Sequence, residues 1–318
     1  MGRWLITGGS GSFGTALIRT LLATRPDVTV VSVSRNAEMR YRLEQLAPPD
    51  RLEVVPGDVR VLDDLRPAFD RGVDVIIHAA AEKHIGTGEK YQHYATSINV
   101  EGAYNVIALA REYRVPAGVA LSTDKACDPC NIYGHTKAIA EAAFVAAPTP
   151  WAVVRYGNVV GSSGSVIPLF LRQRVGRVLT VTDRRMTRFW MPLADPPYCD
   201  MPVYQEPDGR PVMSAVRWVL LAVGRGRGGE IFVPKIPSAR VEDVARAVCP
   251  DAEIVEVGIR PGEKLHEDLI SPEEARRTWA NEFGGWTIAP PKYPVHDLAP
   301  WSYRSDQDCQ PIRVDGLL

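Results

Sequence analysis

The chain has 318 residues, of which 45% are hydrophobic, and its formal net charge is −1. This length suffices for one large α/β unit or for two closely joined domains, and the near-neutral charge argues against a broad nucleic-acid or membrane-binding surface. Because no apolar run is long enough to span a bilayer and the first strand begins almost at once, we expect a cytoplasmic protein.

The first motif is a strand, a glycine turn and an amphipathic helix within residues 3–23. Glycines in the pattern G-x-x-G-x-x-G allow a tight turn and let a diphosphate approach the backbone at the start of a helix. The turn therefore predicts a dinucleotide site that is formed by Gly8, Gly11, Ser12, Phe13 and Gly14.

The second strand, residues 28–36, ends in Ser34-Arg35-Asn36. An NAD site usually carries Asp or Glu at this point, where the carboxylate binds the ribose 2′-hydroxyl. A hydroxyl and a guanidinium suit a 2′-phosphate instead, so these residues favour NADP. The alternative is that Arg35 is a solvated loop residue and that the site does not discriminate.

Two further strands end in residues that suit a bound cofactor. The third, residues 52–60, ends at Asp58-Val59, from where Asp58 is expected to reach the adenine. The fourth, residues 73–84, contains Ala79-Ala80-Ala81, whose small side chains let a flat cofactor lie against the backbone or simply allow tight packing.

Polar residues follow the alanine run. Lys83 and His84 lie on the next loop, where each either contacts a substrate or is solvated. Residues 94–114 are predicted to form one long helix that contains Asn99. Asn99 either supports a catalytic lysine through water or satisfies backbone groups.

The stretch 122–137 carries the residues best suited to proton transfer. Tyr133 and Lys137 are one helical turn apart on one face, and a neighbouring cation stabilises a phenolate and lowers the pKa of its phenol. Asp124 and Lys125 offer a second acid and base just after the buried strand 119–123. Two such pairs at the carboxyl end of a strand indicate catalysis in more than one step.

The strand and helix alternation ends near residue 160. We therefore predict a doubly wound parallel α/β sheet of the Rossmann type over residues 1–160. A smaller substrate-binding domain is predicted over residues 161–318, with residues 212–240 returning to the first domain. The pair Cys127-x-x-Cys130 lacks a second close pair that would complete a zinc site, so we predict no metal.

These motifs together resemble the extended short-chain dehydrogenase/reductases. Among these the chain looks most similar to the inverting UDP-N-acetylglucosamine 4,6-dehydratases. The resemblance covers residues 5 to about 270 and is carried by LITGGSGSFG, SRN, GDVR, HAAAEKH, LSTDKACDPCNIYGHTK, VVRYGNVVGSSGSVIPLF, MTRFW, GEIFVPKIPS and GIRPGEKLHE.

The resemblance implies a role for each proton-handling residue. Tyr133 removes the proton of the sugar 4-hydroxyl while hydride leaves C4, and Thr123 hydrogen-bonds the same oxygen. Lys125 then removes H5, and Asp124 protonates the departing 6-hydroxyl. Hydride returns to C6 and a proton reaches the opposite face of C5, so the net reaction is loss of water.

The resemblance also implies that Asn99, Tyr133 and Lys137 contact the cofactor, and it implies a set of residues that contact the substrate. For the UDP-sugar, the residues implied are Lys83, His84, Asn158, Val166, Thr180, Arg188, Arg260 and Glu263. Of these, Asn158, Arg188 and Arg260 are expected near the diphosphate and Glu263 near the uridine ribose. The three arginines within residues 184–188 form either an anion site or a solvated patch.

Three points stay open in the sequence. About twenty extra residues, from Asp195 to Met213, follow MTRFW and either cover the sugar pocket, change oligomer contacts or form a neutral loop. A retaining dehydratase or a UDP-sugar epimerase would share most of the motifs, and an NADP-sensing binding protein would share the glycine turn. Relatives self-associate, so the resemblance also implies a homo-oligomer.

Overall fold

The computed structural model describes residues 2–195, 197, 212–293 and 301–307. Most of the insertion predicted between Asp195 and Met213, including Tyr198, Cys199 and Tyr204, lies outside these ranges. Among the helices that the structure describes, none has the length and the apolar character needed to cross a bilayer.

Strands and helices alternate through the first half of the chain. The strands are β1 (Gly2–Thr7), β2 (Val28–Ser34), β3 (Leu52–Pro56), β4 (Val75–His78), β5 (Ala117–Thr123) and β6 (Trp151–Tyr156). The helices are α1 (Ser12–Thr24), α2 (Ala37–Glu44), α3 (Leu62–Phe69), α4 (Ile85–Lys90), α5 (Gln92–Thr96), α6 (Gly102–Glu112) and α7 (Ile132–Val145).

The second half has shorter elements. The strands are β7 (Asn158–Val159), β8 (Val178–Val181), β9 (Thr187–Met191), β10 (Ile231–Pro234), β11 (Ser238–Arg240), β12 (Glu253–Glu256), β13 (Asp268–Ile270), β14 (Thr278–Asn281), β15 (Gly285–Ile288) and β16 (Tyr303–Arg304). The helices are α8 (Val166–Gln173), α9 (Ala215–Arg225), α10 (Val241–Val248) and α11 (Pro272–Ala275).

The main sheet has nine strands in the order β14-β15-β10-β6-β5-β4-β1-β2-β3. Strands β1 to β6 and β10 are parallel, and β14 and β15 are antiparallel additions at one edge. The strand order reverses between β1 and β4, which is the point where ligands bind in open α/β sheets. The predicted Rossmann-type fold is thereby confirmed.

The parallel strands form because their sequences are almost continuously apolar and rich in β-branched residues. In β1 and β4 the side chains of Leu5, Ile6, Ile76 and Ile77 are fully buried, since helices cover both faces of the sheet. This buried framework leaves only the strand ends open, where polar residues collect.

The second half of the chain completes the sheet and adds smaller ones. Strand β10, within residues 212–240, pairs with β6, and β14 and β15 extend the same sheet, which the sequence did not predict. Smaller sheets join β11, β9 and β7, then β12 and β8, then β13 and β16.

The helix predicted over residues 94–114 is wrong in one respect. A π-helical turn, Ser97–Glu101, separates α5 from α6 and contains Asn99. Such turns occur mostly as short interruptions of α-helices and are frequent at functional sites. The interruption turns Asn99 toward the loop that follows β4, as its hydrogen bonds show.

Candidate active site

The candidate active site begins at the carboxyl end of β5. Thr123 is the last residue of this strand, and a short 3-10 helix, Asp124–Ala126, follows at once. Helix α7 starts a few residues later, where the Asn131 side chain accepts a hydrogen bond from the Gly134 N–H at 2.7 Å. This N-cap fixes the first turn of α7 and therefore the position of Tyr133.

Gly134 lets helix α7 approach the 3-10 helix closely. A Cβ atom at this position would lie 2.3 Å from the Lys125 carbonyl oxygen, which is far inside van der Waals contact. Only glycine permits this approach without a shift of the backbone. The two proton-handling pairs predicted from the sequence are thus brought together by one backbone contact.

Thr123, Asp124 and Lys125 form one hydrogen-bonded group. The Thr123 hydroxyl donates to Asp124 Oδ1 at 2.8 Å, and Lys125 Nζ donates to the same oxygen at 3.0 Å. Asp124 is completely buried, and its second oxygen, Oδ2, has no hydrogen-bond partner among the described residues. A buried carboxylate oxygen without a partner is costly unless a ligand or a proton satisfies it.

The electrostatics of Tyr133 differ from the sequence expectation. Burial raises the pKa of Tyr133 to about 12, although Lys125 and the Thr123 hydroxyl act in the opposite direction. Lys137 instead donates to the Leu121 carbonyl at 2.6 Å. The largest cation effect on the phenol comes from Lys125, so the role of Lys137 in lowering the pKa of Tyr133 stays a prediction.

Lys137 is itself perturbed by its surroundings. Burial lowers its pKa to about 8, against a smaller opposing effect of Glu141. Its single hydrogen bond to a backbone carbonyl leaves ammonium protons for a ligand, because an ammonium has three donors. The residue is therefore suited to bind hydroxyl groups of a nearby ligand.

A carboxylate that the sequence analysis missed completes this group. Glu267 is 2% exposed, and its Oε1 lies 3.3 Å from Lys125 Nζ and 3.7 Å from Arg188 Nε. Burial alone would lower the pKa of Lys125, but Asp124 and Glu267 together raise it. Glu267 is the last residue of GIRPGEKLHE, one of the stretches that carry the family resemblance, but the sequence analysis predicted no role for it.

The glycine turn has the geometry of a diphosphate cradle. Gly8 has a φ of 71°, and a Cβ there would lie 2.7 Å from the Ala80 backbone, so the turn packs directly on the end of β4. Gly11 is the N-cap of α1, where no side chain caps the helix and no acidic residue occupies the first turn. The uncapped N–H groups of Ser12, Phe13 and Gly14 fit a diphosphate.

The end of β2 forms a cluster of cations around one carboxylate. Arg60 binds Asp58 at 2.6 Å and Arg35 lies 3.5 Å from the same side chain. Both guanidiniums also lie over the ring of Tyr94, at 5.5 and 5.9 Å. Ser34 is buried and accepts a hydrogen bond from the Ser10 N–H. Arg60 and Tyr94 were not predicted from the sequence.

The remaining cofactor residues surround the end of β4. Ala79 and Ala80 are half-buried, Ala81 is exposed, and Val59 is buried against Gly102. Asn36 caps α2 by accepting from the Met39 N–H. The Asn99 side chain accepts from the Glu82 N–H and donates to the Glu82 carbonyl and to the Thr136 hydroxyl. It therefore satisfies backbone groups, which is one of its two predicted roles.

Lys83 and His84 face the loop after β7. Lys83 Nζ donates to the Ser163 carbonyl at 2.6 Å, and burial lowers the pKa of this lysine. His84 Nδ1 lies 2.8 Å from Glu82 Oε1. Ser163 also bonds the Ser12 hydroxyl, so the loop joins the glycine turn to the predicted substrate residues.

The other predicted substrate residues occupy the second half of the chain. Asn158 lies on β7, Val166 begins α8, and Thr180 on β8 bonds the Gln173 side chain. Arg188 is buried and donates to the carbonyls of residues 187, 264 and 265. Arg260 is exposed and paired with Glu263. Their contacts with a substrate stay predictions.

No set of three or more His, Cys, Asp or Glu side chains in the described ranges is arranged to hold a metal ion. Cys127 is buried and Cys130 is exposed, and both are free thiols. Burial raises the pKa of Cys127, which makes this thiol a poor metal ligand.

Comparison with known proteins identifies the family. A model of the family described as polysaccharide biosynthesis protein matches residues 4–198 and 211–284. The chain belongs to this family. A similar protein is a UDP-N-acetylglucosamine 4,6-dehydratase (inverting) from Campylobacter jejuni, which is 40% identical over 287 residues, or 87% of this chain and 80% of that protein.

Other relatives carry a different name. A UDP-glucose 4-epimerase from Rickettsia akari is 36% identical over 301 residues, or 90% of this chain and 82% of that protein. The family resemblance inferred from the motifs is confirmed by these matches. Dehydratases and epimerases both occur among the relatives, so the residues of the site distinguish between the two reactions.

Solved structures show the same architecture. Pen from Bacillus thuringiensis is 28% identical with a TM-score of 0.83, covering 97% of this chain and 94% of that one. DesIV, a dTDP-glucose 4,6-dehydratase from Streptomyces venezuelae solved with NAD, is 25% identical with a TM-score of 0.69, covering 83% and 86%. These likenesses confirm an α/β fold of the type that binds nicotinamide dinucleotides.

Proposed function

We propose that this protein is an NADP-dependent UDP-N-acetylglucosamine 4,6-dehydratase that inverts C5. The observation that carries the proposal is the buried contact between Asp124 and Lys125, 3.0 Å apart, beside Tyr133. Oxidation of an alcohol needs one base, whereas removal of water across C5–C6 needs an additional base and an additional acid. The site holds both sets.

Tyr133 and Thr123 serve the oxidation. When bound, the nicotinamide dinucleotide accepts hydride from C4, returns it to C6 and adds positive charge to the site. Tyr133 takes the 4-hydroxyl proton, which requires that its pKa fall from about 12. Lys125 and Thr123 already act in that direction, and any further cation strengthens their effect.

Asp124 and Lys125 serve the elimination. The new 4-ketone acidifies H5, which Lys125 removes as a neutral amine while a protonated Asp124 gives its proton to the departing 6-hydroxyl. Afterwards Lys125 is an ammonium and Asp124 a carboxylate, which matches the ion pair in the structure. Transfer of one proton from Lys125 to Asp124 across the 3.0 Å contact restores the reactive form.

The specificity for NADP is supported by the end of β2. No carboxylate from residues 34–36 is available for a ribose 2′-hydroxyl, and the Arg35 and Arg60 guanidiniums converge on Asp58. Two cations around one carboxylate leave a net positive charge that suits a 2′-phosphate. The related DesIV structure holds NAD, so this specificity is a property to be tested on this chain.

The UDP end of the substrate is assigned to the loop that precedes β13. Arg260 is exposed and already held by Glu263, so its guanidinium is oriented for a bidentate bond to phosphate. Lys83, whose pKa is lowered by burial, donates to the Ser163 carbonyl on the loop that follows β7. We expect the active protein to be a homo-oligomer in the cytoplasm.

A UDP-sugar 4-epimerase is the second candidate, because the Rickettsia relative carries that name. An epimerase oxidises and reduces the same carbon and needs no acid for a leaving hydroxyl. The buried Asp124–Lys125 pair would then have no proton-transfer role. The pair therefore favours the dehydratase.

The deciding experiment is incubation with UDP-N-acetylglucosamine in deuterated water, followed by mass spectrometry and NMR. We expect loss of water, one deuterium at C5 and an inverted C5 configuration. Loss of water with C5 retained would identify a retaining dehydratase. A change of configuration at C4 with no loss of water would identify the epimerase, and retained cofactor with no turnover of any UDP-sugar would indicate a binding protein.

A further inference from the structure

Glu267 is a buried carboxylate with weak partners. Its Oε1 lies 3.3 Å from Lys125 Nζ and 3.7 Å from Arg188 Nε, and its Oε2 has no hydrogen-bond partner among the described residues. A buried carboxylate is expensive unless it is fully hydrogen-bonded. Packing and hydrogen bonding alone therefore do not explain why an acidic residue occupies position 267.

The backbone around Glu267 holds its side chain toward the catalytic group. The Glu267 N–H donates to Ser305 Oγ at 2.9 Å, and the Ser305 N–H donates to the Glu267 carbonyl at 2.9 Å. Thr187 on β9 bonds both Ser305 and His266 through its hydroxyl, at 2.7 and 2.8 Å. Both sides of the residue are thus fixed to strands of the second half of the chain.

The charges that face Lys125 come from four elements. Asp124 lies on its own 3-10 helix, Tyr133 on α7, Arg188 on β9 and Glu267 before β13. Among the residues described, the Glu267 side chain has no ion pair besides those with Lys125 and Arg188. The position of the Lys125 ammonium is therefore set from two sides by Asp124 and Glu267.

We propose that Glu267 is a positioning residue that holds the Lys125 amine between two carboxylates and sets the charge that it carries before elimination. This inference rests on the proposed function for its catalytic meaning, but not for the contact itself. Glu267 has no proton-transfer step of its own in the proposed scheme. It acts through Lys125, and it connects that residue to the loop that holds Arg260 and Glu263.

A neutral side chain at this position has a defined electrostatic effect. Removal of one negative charge lowers the pKa of every neighbouring group. In Glu267→Gln, whose side chain has the same shape, Lys125 should therefore lose its proton at lower pH. Both limbs of the pH–rate profile for water loss should move to lower pH by about one unit or more, while oxidation at C4 persists.

The test has two independent readouts. In the first, ¹³C-lysine NMR of the ligand-free protein follows the titration of Lys125, with its resonance assigned from the Lys125→Arg variant. We expect Lys125 to titrate at lower pH in Glu267→Gln than in the unmodified protein. Glu273→Gln, a carboxylate-to-amide change at an exposed side chain, is the control and should leave the titration unchanged.

The second readout is the pH–rate profile with UDP-N-acetylglucosamine. Identical Lys125 titration in Glu267→Gln and in the unmodified protein would overturn the inference. If Glu267→Gln does not fold, Glu267→Asp keeps the charge one methylene further from Lys125 and should give a smaller downward shift, whereas no shift would overturn the inference. Should the unmodified protein not dehydrate this sugar, the proposed function fails and the NMR titration still decides the role of Glu267.

Discussion

Gly134 offers the sharpest test of how the site is built, because two known effects of a glycine-to-alanine change oppose each other there. Alanine is favoured over glycine within a helix by about 1 kcal/mol. At Gly134, however, the new Cβ would lie 2.3 Å from the Lys125 carbonyl oxygen, which belongs to the backbone and cannot rotate away. That oxygen must retreat by about 0.7 Å or more before the contact is tolerable.

The overlap should outweigh the gain in helix propensity. Overpacking of this kind costs about 1–3 kcal/mol. For a chain of 318 residues, 1 kcal/mol corresponds to a change in Tm of roughly 1–2 °C. The net loss is then up to about 2 kcal/mol, so we expect Gly134→Ala to lower Tm by up to roughly 4 °C and to reduce turnover, since the shift separates Lys125 from Tyr133.

Gly224 provides the matched control. It also lies in a helix, α9, but a Cβ at this position would meet nothing within 4 Å. Gly224→Ala should raise Tm by about 1 °C and leave turnover unchanged. Differential scanning calorimetry and the deuterium-exchange assay measure both variants. A Gly134→Ala protein that is as stable and active as Gly224→Ala would refute the close approach of α7 to the 3-10 helix.

Three further results are expected. Arg35→Ala should reduce the preference for NADP over NAD by roughly 10-fold or more, because a charge-assisted bond to phosphate is lost. The ratio of the two dissociation constants measures this preference. Equal loss of affinity for both cofactors would contradict the 2′-phosphate site. Burial opposes ionisation of Glu274, but Arg155 lowers its pKa to about 2, so its stabilisation of about 3 kcal/mol is present above pH 4.5 and is lost as the pH falls toward 2. Glu274→Gln should make unfolding by urea less dependent on pH in that range, whereas the exposed Glu273→Gln should not. Asp124→Asn should slow loss of water by roughly 10²–10⁴-fold while reduced cofactor still forms in a single turnover, and a pH–rate profile like that of the unmodified protein would exclude Asp124 as the acid.

Short-range patterns determined the cofactor half of the protein. The glycine turn, the apolar strands and the spacing of Tyr133 and Lys137 are each encoded within about twenty residues. Backbone geometry alone then fixes where their strand ends meet, because parallel strands in this order open at one edge. For this reason the fold, and the placement of residues at the ends of β1, β4 and β5, could be predicted from the sequence.

Long-range contacts decided the electrostatics of the site. The sequence did not predict that burial has the largest effect on the pKa of the Tyr133 phenol, or that Lys125 opposes this effect. Arg60 and Arg35 both lie over the ring of Tyr94 because the tertiary structure brings the chain after β3 close to α5. A pKa depends on which groups are excluded from water and which charges lie within a few ångströms, and neither quantity is written in a local motif.

The sequence by itself determined the family resemblance, because the residues proposed to transfer protons lie in one continuous stretch from Thr123 to Lys137. Only the tertiary structure showed that Glu267, from the other half of the chain, faces Lys125 at 3.3 Å. The physical reason is that a buried charge is defined by its partners in space. Folding the second half onto the end of β5 creates that pair, and no periodicity or spacing along the chain records it.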